Sequence, residues 1–384
     1  MSSFAMSFPR DVPTLTDGVV RLRAHTPEDV DALYEQATDS VMLRWTTVPD
    51  PSTRETAREF ATHVIPDGWR SDREWAFAVD APDADGVPRF VGTVSLRNEG
   101  AGRAEVAYGA HPWARGRGYV VRALHLLLAW GFDQRGVHTV IWWANKGNWA
   151  SRKVAWRLGF SFDGTVREWL PQRGTLYDGW VGALTSTDAR RPRTPWFDVP
   201  RIRGERVVLR ELGEDDVPRV VEACSDERTS YWLTQLPAPY TEQDALAWIE
   251  QMREQHATGS GIMWAVADPD DDRMLGVVTA FDLNAEGTAE VGYWAHQDAR
   301  GRGVTTEACA LAVRHCFVPV EDGGLGLRRL RAFAAEGNEA SMRVLKSNGF
   351  VQTGRFREGK QMRDGSYLDL VHFDLLVSEF VPQP

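Results

Sequence analysis

Cysteine is scarce in this chain of 384 residues. The three present, Cys224, Cys309 and Cys316, all lie in the second half and lack metal-ligand spacing. They read as small buried side chains in a reducing compartment, and no metal is expected. Positive charge is also in deficit. The net charge of −10 argues against broad binding of nucleic acid or an anionic membrane, and it suits a cationic partner such as an amine. Long apolar runs are missing too. The most apolar stretch, Ala123 to Phe132, is about half a membrane span. Met1 to Gly18 has no apolar segment of the kind a signal peptide needs, so a cytoplasmic protein is expected. Two nucleotide-binding patterns are absent. No G-x-G-x-x-G follows an early strand, and no Lys-Ser/Thr pair completes a phosphate-binding P-loop.

What is present is ordinary in bulk and unusual in order. A hydrophobic content of 43% and a charged content of 26% fit a soluble globular protein long enough for two cored domains. The order repeats. Arg115-Gly116-Arg117-Gly118 returns 185 positions later as Arg300-Gly301-Arg302-Gly303. Each copy follows a strand-like Ala-Glu-Val-x-Tyr, at Ala104 to Tyr108 and Ala289 to Tyr293, and precedes a long apolar helix. Further on, Asn148-x-Ala150-Ser151 with Gly159-Phe160 returns as Asn338-x-Ala340-Ser341 with Gly349-Phe350. Such self-similarity marks a duplicated unit. Three prolines and several arginines between Thr187 and Arg203 resist regular structure and read as an exposed linker. The expected organisation is therefore one domain over 1–186, a linker over 187–203 and a second domain over 204–384.

Within each copy the pattern predicts a short strand (Val19 to Arg23; Val207 to Arg210) and a helix opening at Thr26-Pro27-Glu28-Asp29 in the first copy. A second helix follows over Thr53 to Val64 or Thr241 to Gln255. In the first copy, strands over Trp75 to Asp80 and Phe90 to Leu96 are joined by a turn-rich segment. The helix after the glycine loop spans Tyr119 to Phe132 or Val304 to Phe317. A strand follows (Thr139 to Ala144; Leu330 to Ala334), then a short helix ended by Gly159 or Gly349.

Glycines at alternate positions let the backbone approach a ligand with its N–H groups turned outward, and the start of the next helix adds partial positive charge. Together they suit phosphate oxygens. Arg115, Arg117, Arg300 and Arg302 add cationic side chains for a pyrophosphate or a 3′-phosphate. Tyr119 and Val304 open the two helices. Asn148 and Asn338 are good helix N-caps, and a serine three residues later is tolerated in a first turn. Glu105 and Glu290, on the strands entering the loops, are the best general-base candidates, and an exposed strand carboxylate is the plain alternative. Tyr108 and Tyr293 alternate to the opposite face and read as packing. His111 and His296 read as structural or exposed.

Strand, then Arg-x-x-Gly-x-(Gly/Ala), then helix resembles the coenzyme A loop of the GNAT N-acetyltransferases. The Asn-x-x-Ser with its terminal Gly-Phe is similar to the RimJ/RimL branch. The resemblance covers nearly the whole chain, twice. It implies an α/β fold, a mixed, mostly antiparallel sheet with flanking helices, in two tandem GNAT-like domains. It implies acetyl-CoA as acyl donor, held by Arg115 to Tyr119, Arg300 to Val304, Asn148 and Asn338. Ser151 and Ser341 take the place of the tyrosine that often protonates the leaving thiolate, and backbone N–H groups of the Glu105–Tyr108 or Glu290–Tyr293 strand steady the oxyanion. One departure touches both loops: Val120 and Thr305 stand where Gly or Ala is usual. Thr306-Glu307-Ala308 is typical of the branch and Val121-Arg122-Ala123 is not, which favours the second copy as the catalytic one.

The expected reaction is direct acetyl transfer to a primary amine, either a protein N-terminus or a small molecule, without nucleic acid or membrane; a homodimer is left open. Two alternatives stand beside it. One domain, the N-terminal one first, is a non-catalytic coenzyme-A-binding module; or the chain is a tandem transferase using aminoacyl-tRNA. Of the sixteen tryptophans, eleven precede the linker. Trp142, Trp143, Trp149, Trp156, Trp169 and Trp180 read either as core and interdomain packing or as an aromatic pocket for a large or cationic acceptor.

Overall fold

The computed structural model describes residues 12–381. Of the stretch read above as lacking a signal segment, residues 1–11 lie outside the described part. The chain forms two compact units divided between Arg193 and Thr194. Among the described residues no helix is long and apolar enough to cross a membrane.

The N-terminal unit runs β1 (Leu15–Thr16), β2 (Arg21–Arg23), α1 (Val30–Thr38), α2 (Ser40–Trp45), α3 (Arg54–Glu59), α4 (Ile65–Arg70), β3 (Glu74–Pro82), β4 (Pro88–Gly100), β5 (Arg103–Ala110), α5 (Tyr119–Arg135), β6 (Thr139–Asn145), α6 (Trp149–Arg157), β7 (Gly164–Gln172) and β8 (Thr175–Thr185). The C-terminal unit repeats this as β9 (Ile202–Arg203), β10 (Val208–Arg210), α7 (Val217–Ser225), α8 (Glu227–Trp232), α9 (Glu242–Thr258), β11 (Gly261–Ala267), β12 (Met274–Phe281), β13 (Thr288–Ala295), α10 (Val304–Phe317), β14 (Arg329–Ala335), α11 (Glu339–Ser347), β15 (Val351–Gln361) and β16 (Tyr367–Leu376). Each unit holds an eight-stranded sheet, ordered β1-β2-β3-β4-β5-β6-β8-β7 in the first and β9-β10-β11-β12-β13-β14-β16-β15 in the second. Every neighbouring pair is antiparallel except β5–β6 and β13–β14. The mixed, mostly antiparallel α/β architecture expected from the sequence is the one found.

Period-two alternation places one set of strand side chains under α5 and α6 and the other under α1 and α3. Ala104, Val106, Val140 and Trp142 pack with Leu124, Leu127, Leu128 and Leu158 on the first face. Val30, Leu33, Ala57 and Ala61 cover Ala78 and Phe90 on the second. The C-terminal unit divides its core likewise, with α10 and α11 on one face and α7 and α9 on the other.

Three details differ from the sequence reading. The helix expected over Thr53 to Val64 is α3, then a wide turn in which the Ile65 N–H donates to the Phe60 carbonyl, then α4. Pro66 has no N–H to continue an ordinary ladder, so the turn widens there. The linker segment is shared out rather than free-standing. Arg190 pairs with Asp133 in the N-terminal unit, while the Phe197 N–H donates to the His256 carbonyl in the C-terminal one. Finally, each unit closes with a hairpin, β7–β8 or β15–β16, that the pattern did not predict.

In both units a carboxylate holds the turn before the second strand, but the helix residue facing that turn has opposite charge. In the N-terminal unit Asp17 accepts the N–H groups of Val19 and Val20, both at 2.9 Å, and pairs with Arg122 of α5 at 2.8 Å. The C-terminal unit has Gly204 and Glu307 at these places. There the Glu307 carboxylate itself accepts from the Glu205 N–H at 2.5 Å and the Arg206 N–H at 2.9 Å. A Cβ on Gly204 would stand 2.4 Å from that carboxylate, so the glycine makes room for it.

Candidate active site

The two parallel pairs part company. β5 pairs with β6 only from Arg103–Thr139 to Val106–Trp142, although both strands run on. β13 pairs with β14 only from Thr288–Arg329 to Glu290–Arg331. Beyond these points alternate backbone N–H and C=O groups of Ala107–Ala110 and Gly292–Ala295 face a gap. Buried strand polar groups need partners, so each gap suits a ligand that carries amides of its own.

The glycine loop stands at the end of each gap. Gly116, Gly118, Gly301 and Gly303 have φ of +74°, +76°, +75° and +76°, in the left-handed region that favours glycine. A Cβ added to Gly116, Gly118 or Gly301 meets nothing within 4 Å, so these loops face open space. Neither Gly118 nor Gly303, the residues before α5 and α10, caps its helix with a side chain. The first N–H groups of each helix are therefore presented outward, as an anion requires. The residues present fit the diphosphate of acetyl-CoA.

The loop arginines divide their work. Arg115 pairs with Asp39 and Arg300 with Asp226, and Arg300 also donates to the Thr229 hydroxyl at 2.7 Å. Those aspartates cap α2 and α8. Arg115 and Arg300, expected on the phosphates, thus have their side chains tied to the neighbouring helix starts, and the cradle rests on main-chain N–H groups. Arg117 is exposed and donates to the Trp113 carbonyl at 3.0 Å; Arg302 is exposed beside its glycines. Tyr119 donates to the Pro82 carbonyl at 2.9 Å, and Val304 is buried. Val120, where Gly or Ala is usual, packs against the core and leaves the loop clear.

Beside the gap, on the α5 side, stand the serines. Asn148 Oδ1 accepts from the Ser151 N–H at 3.1 Å and Asn338 Oδ1 from the Ser341 N–H at 3.3 Å, so both asparagines cap their helices as the sequence allowed. The Ser151 hydroxyl lies 2.8 Å from the Tyr108 hydroxyl and accepts the Trp142 indole N–H at 3.0 Å. Ser341 lies 3.2 Å from Tyr293. Each tyrosine also donates to the backbone carbonyl of its serine, at 3.1 Å and 3.0 Å. Burial pushes the Tyr108 phenol up to about 12, against its bonds to Ser151 and Trp142, and raises Tyr293 too. Both stay protonated at neutral pH. The tyrosines assigned to packing by alternation are hydrogen-bonded to the serines.

Glu105 and Glu290 occupy the opposite face, at the last paired positions or one before. Arg97, opposite it on β4, bonds Glu105 at 2.9 Å. Glu290 lies 3.5 Å from Arg331, which also pairs with Asp282. Burial holds the Glu290 carboxyl above its ordinary value, and Arg331 offsets part of that rise. The structure therefore brings loop, gap and serine together on one side and the glutamate to the other side of the same gap. His111 and His296 are buried and bonded to Glu35 and Asp298.

The hairpins complete the walls. Gln172 of β7 donates to the Leu43, Arg44 and Thr46 carbonyls at 3.0, 3.1 and 2.8 Å, which fixes the end of α2. Arg363 does likewise for the Ser230 and Leu236 carbonyls after β15. Of the tryptophans, Trp142 and Trp180 are core residues. Trp143 stacks on the exposed Trp169 with centroids 6.1 Å apart, on the Glu105 face. The C-terminal counterpart is Phe333 stacked on His372 at 4.9 Å.

A glycine cradle at a helix start beside a parted parallel pair, of a form that suits an acyl-coenzyme A, stands in each half. The family model for the acetyltransferase (GNAT) domain matches residues 20–161 and again 206–351, and the chain belongs to that family. It is similar to YdaF of Bacillus subtilis, which carries a provisional assignment as a ribosomal N-acetyltransferase, at 28% identity over 184 residues, 46% of this chain and 94% of that protein. It is also similar to the ribosomal-protein-serine acetyltransferase of Escherichia coli, 24% identical over 165 residues, 42% of this chain and 87% of that protein. Among solved structures, RimJ of Mycobacterium smegmatis in complex with CoA-disulfide is 22% identical with a TM-score of 0.41, over 46% of this chain and 84% of that one.

Proposed function

We propose that the protein moves an acetyl group from acetyl-CoA to a primary amine, a protein N-terminus or a small molecule, and that the C-terminal half carries most of the turnover. The observation behind this is Glu290. Its raised carboxyl stands where β13 and β14 separate, opposite the Tyr293–Ser341 pair.

The thioester supplies the acetyl group. Gly301 to Val304 hold the diphosphate through main-chain N–H groups, and the parted edge of β13 aligns the pantetheine amides. Glu290 takes the proton of the incoming ammonium, directly or through water, because only the neutral amine has a lone pair to attack with. Backbone N–H groups of the strand past Glu290 donate to the carbonyl oxygen as it gains charge. A serine hydroxyl is a far weaker acid than a thiol, so Ser341 supports the departing sulfur by donating a hydrogen bond, and as the carbon–sulfur bond breaks the second proton of the attacking nitrogen passes to that sulfur, which leaves as the thiol. Ribosomal proteins, the acceptors named for two of its relatives, are the ones to test first.

A screen of peptides and amines with acetyl-CoA, read by mass for one added acetyl group, tests the reading. Glu290→Gln and Ser341→Ala each lower kcat roughly a hundredfold with coenzyme A affinity kept. Turnover unchanged in both variants refutes the assignment.

A further inference from the structure

We propose that Trp142 is a positioning residue for the leaving-group step in the N-terminal half. This rests on the reading that Ser151 faces the thioester sulfur. The Ser151 oxygen accepts the Trp142 indole N–H at 3.0 Å and lies 2.8 Å from the Tyr108 hydroxyl. At rest, Tyr108 donates to the Ser151 carbonyl at 3.1 Å, so the serine hydrogen points to Tyr108. When that hydrogen turns to a sulfur gaining negative charge, the Tyr108 hydrogen turns to the serine oxygen. That oxygen then accepts two hydrogen bonds while its O–H donates one. Donors placed on a hydroxyl oxygen polarise its O–H and strengthen the bond it gives. No proton leaves the protein in this step.

The C-terminal half has one such donor. Ala332 stands at the position of Trp142, and the Tyr293–Ser341 contact is longer, at 3.2 Å. Packing does not explain the difference, because the volume is exchanged across the sheet. Trp142 lies opposite Gly182, where an added Cβ would strike the Ser161 carbonyl and only touch the indole at 3.5 Å; Ala332 lies opposite the fully buried Phe373. Either arrangement fills the core. Only the tryptophan brings an N–H to the serine.

The test uses the full chain with Glu290→Gln and Ser341→Ala, so that remaining acetyl transfer comes from the N-terminal half. Trp142→Phe in that chain lowers kcat roughly three- to tenfold, the loss of one hydrogen bond, with KM for acetyl-CoA within about twofold. Added to Ser151→Ala it has no further effect, because the two changes remove one interaction. Without coenzyme A, the Trp142 indole N–H resonance moves upfield in Ser151→Ala. If Trp142→Phe fails to fold, benzothienylalanine at position 142 keeps the shape and removes only the N–H. An equal loss with and without Ser151, no loss at all, or a silent N-terminal half overturns the proposal. A wild-type chain that acetylates no amine overturns the acetyl-transfer reading and the Trp142 role with it.

Discussion

Ser151 and Ser341 occupy the same turn of the same helix, three residues after an asparagine cap, yet the side chains around them differ. The spacing of Asn, Ala and Ser was visible in the sequence because it is local. The Tyr108 and Tyr293 bonds were not, since alternation gives the face of a strand and says nothing of what a helix forty residues on lays across it. The loop arginines carry the same lesson: their partners Asp39 and Asp226 lie more than seventy residues upstream. Arg300→Ala leaves Asp226 without its cation and is expected to cost about 1–2 kcal/mol, read as a lower denaturation midpoint, with a smaller effect on coenzyme A affinity. At the base, Glu290 must be ionised to act. Because burial raises its carboxyl, the acidic limb of the kcat/KM–pH profile lies above that of an ordinary glutamate, and Asp282→Asn, which removes a neighbouring negative charge, moves the limb to lower pH.

At the scale of elements, most of the site-bearing half of each unit was legible: the strand, glycine loop, long helix, strand and capped short helix all lie where periodicity put them. The closing hairpins were missed for a physical reason. β7 and β15 are sheet-edge strands with both faces mostly exposed, and each is broken by a bulge, between Val166 and Leu170 and between Phe356 and Lys360. The left-handed Glu168 and Glu358, φ +50° and +55°, shift the alternation on which a strand reading depends. The cradle makes a sharper prediction. Gly118→Ala and Gly303→Ala each force a side chain into φ near +76°, at a cost of about 1–2 kcal/mol. The added methyl at Gly118 points into open space, so calorimetry should show coenzyme A binding weakened at least tenfold there while the fold persists.

For the whole molecule, two intact cradles predict two coenzyme A molecules bound per chain in titration calorimetry; a single site dismisses one of the halves as a cofactor binder. Acid stability is also set in both halves. His256 is buried and His25 half-buried with its Nδ1 shut away from solvent, and desolvation lowers each from 6.5 to about 4, so both are neutral near pH 7. The unfolded chain takes up these protons first, so the stability the rings contribute is full above pH 6.5 and is lost between about pH 6.5 and 4. The denaturation midpoint should fall across that window, and less steeply in His25→Phe. Finally, a duplicated chain runs a hazard while it folds: the leading edge of one sheet can settle on its twin. The swapped polarity at Asp17–Arg122 and Glu307 works against that error. A stray first strand from the front half would set Asp17 against Glu307, two like charges, whereas one from the rear half would bring Gly204 to Arg122 and leave the cation with no mate.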